Sequence, residues 1–139
     1  MEFKHFGVMI DCSRNAVMKV DGVKKLIVCL EKMGYNALEL YTEDTYEVDG
    51  EPYFGHLRGR YTSEELKELD AFAKKHGVEL IPCIQTLAHL ETMFRWHREY
   101  AEIRDADNIL LVGADRTYQL IENMFKSIAS NFTTRNVNI

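Results

Sequence analysis

Apolar positions recur along this chain with two different periods, and the alternation between them predicts its elements. Residues 6–11 (FGVMID) form a short apolar run that ends in an acid, the mark of a buried strand. Asp21 offers a cap to the next segment, in which Val23, Leu26, Ile27, Leu30 and Met33 recur at helical spacing. Gly34 follows in the position that closes a helix. Residues 37–41 (ALELY) read as a second strand. Thr62 and Glu65 have the spacing of a capping box, in which hydroxyl and carboxylate each satisfy a free N–H. The helix behind them turns Leu66, Leu69, Phe72 and Ala73 inward and ends at Gly77. Residues 78–84 (VELIPCI) predict a third strand and residues 87–96 a short helix. Asp115 is placed to cap a last long helix with Leu120, Ile121, Met124, Phe125 and Ile128 on one face. Residues 136–139 (NVNI) read as a fourth strand.

Residues 31–40 (EKMGYNALEL) and 74–82 (KKHGVELIP) repeat one design: a helix end, a glycine turn and a buried strand. Apolar strands alternating with amphipathic helices mean parallel βαβ units, in an open doubly wound sheet or a β/α barrel. The loops favour the barrel. Residues 42–61 run with little periodicity straight after the second strand, and residues 97–113 are a further irregular stretch. Long insertions after strand C-termini are the pattern of barrel enzymes. Eight units need roughly 200 residues or more, and this chain supplies about three and a half. The fold class is therefore α/β, with parallel βαβ units forming the first half of a (β/α)8 barrel within a single partial domain, residues 1–139. Its outer strands would be exposed edges, so it calls for a partner half or a second copy of itself.

The charge, 17 basic against 22 acidic residues, gives a net −5 and argues against nucleic acid and anionic membranes as partners. Basic residues between Lys19 and Lys32 share a helix with apolar positions and read as a solvated face. No apolar run approaches the roughly 20 residues of a membrane span, and the N-terminus lacks a signal-peptide core. Cys12, Cys29 and Cys83 are too widely spaced for a disulfide framework or structural zinc, which makes a reducing cytoplasm the expected location.

Chemistry in such folds sits at strand C-termini. The first strand delivers Asp11, Cys12, Ser13 and Arg14; the second Tyr41, Thr42, Glu43 and Asp44; the third Gln85, Thr86 and, one helical turn on, His89. An acid, a hydroxyl, an amide and an imidazole on one rim suit hydrogen bonding to a polyol. Tyr46, Tyr53, Phe54 and Trp96 would add an apolar platform for a sugar ring. Each has a plainer reading: Asp11 paired with Arg14 or capping a turn, Glu43 and Asp44 a solvated loop pair, His89 a core histidine, Trp96 packing. Gly-rich phosphate loops, a Gly-x-Ser-x-Gly elbow and His-Glu-x-x-His are all absent. A metal held by His89, His97 and an acid has no motif to fix its geometry, and no cofactor is implied.

Residues 7–15 (GVMIDCSRN), 40–47 (LYTEDTYE), 51–62 (EPYFGHLRGRYT) and 80–90 (LIPCIQTLAHL) together resemble the N-terminal half of a glycoside hydrolase family 20 catalytic barrel. The branch it is most similar to is the bacterial exo-β-N-acetylhexosaminidases. The resemblance implies a carbohydrate partner ending in N-acetylglucosamine or N-acetylgalactosamine. It also implies substrate-assisted retaining hydrolysis, in which the sugar's acetamido oxygen attacks the anomeric carbon. An Asp orients the acetamido group and an adjacent Glu protonates the leaving oxygen, an exception to the scheme with an enzymic nucleophile. Asp11, Arg14, Tyr41, Glu43, Asp44, Gln85 and His89 become the substrate-binding or supporting residues, with His89 beside the catalytic acid. Two positions depart from the family pattern. Phe6 stands where many members have a sugar-binding Arg, and Gln85-Thr-Leu-Ala-His89 lacks the acid that often precedes Gly-His. The catalytic Asp-Glu pair of the family follows strand four, so it is expected just after Ile139, in a longer hydrolase of which this chain is an inactive fragment. Two alternatives stand beside this: a metal-dependent barrel isomerase or epimerase, and a non-catalytic half-barrel that dimerises.

Overall fold

The structure is a computed structural model that describes residues 3–14, 16–96 and 98–139 and, at Trp96, the backbone alone. Three parallel strands, β1 (Gly7–Asp11), β2 (Ala37–Thr42) and β3 (Glu79–Ile84), pair in the order β1-β2-β3. Gly7, Ala37 and Glu79 lie abreast at one end, and Asp11, Tyr41 and Cys83 at the other. Gly7 is required there, because a Cβ would stand 2.6 Å from the Ala37 carbonyl oxygen. Residues 136–139 run beside β3 in the same direction: the Asn138 amide donates to the Pro82 carbonyl and the Ile84 amide to the Asn138 carbonyl, both at 2.9 Å. The contact is a single parallel bridge rather than a full strand.

Three longer helices follow the predicted periods. Helix α1 (Val20–Lys32) buries Val23, Ile27 and Leu30, while Met33 points to solvent. Its cap is Lys19, not Asp21; Asp21 lies in the first turn, where a carboxylate still favours the helix dipole. Gly34 ends it at φ +80°. Helix α2 (Ser63–Lys75) has the predicted capping box, the Glu65 amide donating to Thr62 Oγ1 at 3.2 Å and the Thr62 amide to Glu65 Oε2 at 2.9 Å. It buries Leu66, Leu69 and Ala73. Gly77, at φ +67°, turns the chain into β3. The last long helix begins at Asp115 itself, capped by the backbone of Ala114 rather than by the Asp115 side chain.

The predicted helix over 87–96 is shorter than expected. Only Glu91–Trp96 (α3) is helical, followed by a 3-10 turn at Arg98–Ile103. The reason lies in 87–90: the Leu87 carbonyl accepts from the Leu110 amide and the Leu90 amide donates to the Asn108 carbonyl. These pairings engage groups a helix would need, and His89 adopts φ +60° between them. Helix α4 (Asp115–Asn131) closes the described fold.

The sheet has two unlike faces. Leu38, Leu40, Leu80 and Ile84 join the helix residues in one hydrophobic core. The opposite face, with Gly7, Met9, Ala37, Glu39 and Ile81, lines an open groove of about 560 Å³. Among the described residues no strand pairs with the outer edge of β1.

Candidate functional site at the strand ends

The strand register brings Asp11 and Tyr41 side by side at the C-terminal rim. Asp11 is exposed and folded back on its own turn: Oδ1 accepts from the Ser13 amide at 2.8 Å and the Ser13 hydroxyl at 2.7 Å. Those bonds hold its carboxyl below the usual carboxylate range, with Arg14 adding a smaller pull. Of its readings, the turn cap is the one observed.

The carboxylates after β2 are not a solvated pair. Glu43 and Asp44 are 1% and 2% exposed. The loop that follows folds back over them: the Tyr61 amide donates to the Thr45 carbonyl and the Glu47 amide to the Tyr61 carbonyl, each at 2.9 Å. At Gly55 (φ +65°) the backbone lies so close that a Cβ would stand 1.8 Å from the Asp44 carbonyl oxygen. Asp44 faces the Arg58 Nε at 3.3 Å, and the Arg58 guanidinium also donates to the Ser13 carbonyl. Glu43 faces the exposed Arg14, Nη2 to Oε1 at 3.4 Å, and neither of its oxygens has a hydrogen bond. Burial pushes both carboxyls up. At Glu43 the Arg14 charge opposes that rise and Asp44 adds to it; at Asp44 the opposing charge is Arg58. Tyr41 is raised too, first by burial and then by Glu43. A buried carboxylate without a hydrogen bond is costly, and a ligand hydroxyl would satisfy it.

The other expected residues divide. His89 is exposed rather than in the core and lies outside any helix. Gln85 is half-buried just past β3. The aromatic platform is corrected: Tyr46 and Phe54 are 1% and 0% exposed and pack edge to face at 5.4 Å inside the core. Tyr53 alone of the three is open, edge-on to His56. The Trp96 side chain and His97 lie outside the described residues. Among the described residues no three His, Cys, Asp or Glu side chains group as metal ligands, and no helix is long and apolar enough to cross a membrane. Sequence reasoning did not single out Arg58, which joins the β1 and β2 rims, although it lies in the 51–62 segment that carries part of the family resemblance.

The chain matches "Glycosyl hydrolase family 20, catalytic domain" over residues 3–139. Human hexosaminidase D is 26% identical over 113 residues, covering 73% of this chain and 23% of that protein. The β-hexosaminidase of Vibrio furnissii is 24% identical over 173 residues, covering 99% of this chain and 28% of its own. The chain thus spans about a quarter of the length of these curated relatives. Among solved structures, the exo-β-N-acetylglucosaminidase of Vibrio harveyi, in complex with N-acetylglucosamine, superposes with a TM-score of 0.83 at 22% identity, over 97% of this chain and 27% of that one. The N-acetyl-β-hexosaminidase of Streptomyces plicatus gives 0.83 at 22% identity, over 97% of this chain and 32% of its own. These likenesses show the fold: the βαβ units are arranged as in family 20 barrel enzymes.

Proposed function

The chain belongs to glycosyl hydrolase family 20, and from that premise we propose that it is the sugar-binding first half of a hydrolase that removes terminal N-acetylhexosamine. The observation that carries the reading is Glu43: a buried carboxylate without a hydrogen bond, facing Arg14 at the strand-end rim. An acceptor and a guanidinium side by side match the donor and acceptor sides of sugar hydroxyls. Asp11, Tyr41, Asp44, Gln85 and His89 complete the rim in this reading. Asp44 and His89 support the reacting end, and Asp11 holds the turn that carries Arg14.

In the reaction we propose for the whole enzyme, the acetamido oxygen bonds to the anomeric carbon as the glycosidic C–O bond breaks. A glutamic acid gives its proton to the departing oxygen, and water then opens the oxazolinium with retention. A neighbouring aspartate faces the positive charge as it develops. In the family's pattern that acid pair follows strand four, so the 139 residues alone bind without hydrolysing. The uncovered sheet face is then taken by the remainder of the barrel or by a second copy.

Titration of N-acetylglucosamine against the protein tests the first claim. Saturable binding that Arg14→Ala weakens at least tenfold is expected, and no binding would refute it. Release of nitrophenol from a nitrophenyl N-acetyl-β-glucosaminide by the purified 139 residues would refute the second.

A further inference from the structure

Away from the rim, Glu51 is the most completely bonded carboxylate of the long loop between β2 and α2. It is 3% exposed. Arg116 binds it bidentately, Nη1 donating to Oε1 at 2.8 Å and Nη2 to Oε2 at 2.5 Å. Asn123 Nδ2 donates to Oε1 at 3.0 Å and the Tyr100 hydroxyl to Oε2 at 3.2 Å. Its neighbours dock on the same helix: the Asp49 amide donates to Ser127 Oγ at 2.9 Å, and a Cβ on Gly50 would touch the Asn123 amide at 3.5 Å. The middle of the loop is therefore fastened to α4 and to the 3-10 turn before it. Four residues further on, the same loop presses Gly55 against the Asp44 carbonyl and delivers Arg58 to Asp44 and Ser13. The Phe54 amide joins the two regions by donating to the Glu51 carbonyl at 3.0 Å.

We propose that Glu51, gripped by Arg116, is a positioning residue for the rim: it fixes the loop so that Gly55 and Arg58 close over Asp44. A bidentate guanidinium–carboxylate pair sets direction as well as distance, and a buried, fully satisfied one tolerates little displacement. The far end of the loop is held separately, by Tyr61 paired with Thr45 and Glu47, which leaves Glu51 to fix the stretch between. The inference rests on the proposed sugar-binding role for its purpose, and on the loop geometry alone for its test.

The variants are Glu51→Gln, which keeps the shape and loses the charge, and Asn123→Ala, which removes one bond and leaves the Arg116 pair. Two readouts report on the rim itself: amide exchange at residues 53–60 against that of β2 and β3, and the carbon-13 titration of the Asp44 carboxyl. Glu51→Gln is expected to speed exchange at 53–60 at least tenfold with the strands unchanged. It should also move the Asp44 titration down toward the ordinary range as water reaches it. Asn123→Ala should do the same to a smaller degree and decides the matter if Glu51→Gln does not fold. A variant that melts earlier with 53–60 and Asp44 unmoved would make Glu51 a merely structural anchor and overturn the proposal. Neither readout uses sugar, so absent N-acetylglucosamine binding in the unaltered protein would count against the functional reading only.

Discussion

Asp11 and Glu43 meet opposite fates on folding: Asp11 gains hydrogen bonds, whereas Glu43 loses water without gaining any. Their effects on stability carry opposite signs. Glu43 and Asp44 are raised in the fold, so the native state binds more protons than the unfolded chain across the window above the ordinary carboxyl value near 4. Stability therefore falls as pH rises through that window. Glu43→Gln should raise the melting temperature near pH 7, with the gain fading toward pH ~4; melts across that range that shift in parallel would refute this. Asp11 is lowered, so its contribution is present above the ordinary carboxyl value and is lost as pH falls through the folded one. Gly55 is constrained differently, by φ +65° and by the Asp44 carbonyl where a side chain would sit. Gly55→Ala should cost about 3 kcal/mol or more, seen as a lower urea midpoint; a loss under about 1 kcal/mol would mean the loop yields freely.

Helix α4 shows what a periodic pattern reveals and what it hides. Of the five residues expected on one face, Leu120, Met124 and Ile128 form a buried stripe, while Ile121 is half-buried at its margin and Phe125 is exposed. Beside it runs a polar stripe of Arg116, Asn123, Ser127 and Asn131, which docks the β2–α2 loop through Glu51 and Asp49 and reaches Ser63 on α2. Apolar spacing made the buried stripe readable from sequence. The polar stripe has the composition of a wet surface, because a buried polar contact is specified by its partner in space and its helical spacing is the same as that of a solvated face. Caps divide the same way. The Thr62–Glu65 box was readable because both halves are local, whereas Asp21 and Asp115 sit one or two residues inside helices that the backbone caps. Thr62→Ala should accordingly destabilise by about 1 kcal/mol, measured by urea unfolding. A change within a few tenths would show that Glu65 alone holds the end of α2.

At the scale of the molecule, the sheet of the described residues carries a packed core on one face and an open groove on the other. The strand order and the rim residues were foreseeable, since parallel βαβ units deliver their C-termini to one side. The inward folding of the 42–61 loop was not, because aperiodic sequence gives no hint of which backbone it will cover. What the two faces imply together is physical. Parallel sheets are stable when both faces are covered. Here Met9 is 50% exposed above a groove of about 560 Å³, and β1 offers a free edge among the described residues. The 139 residues alone should therefore self-associate as their concentration rises, which sedimentation velocity would follow. Met9→Lys puts a charge in the middle of that face and touches no helix-covered core. It should leave the melting temperature nearly unchanged and shift the protein to monomer. A protein that sediments as a monomer at every concentration would mean that this sheet face is content in water and drives no self-association.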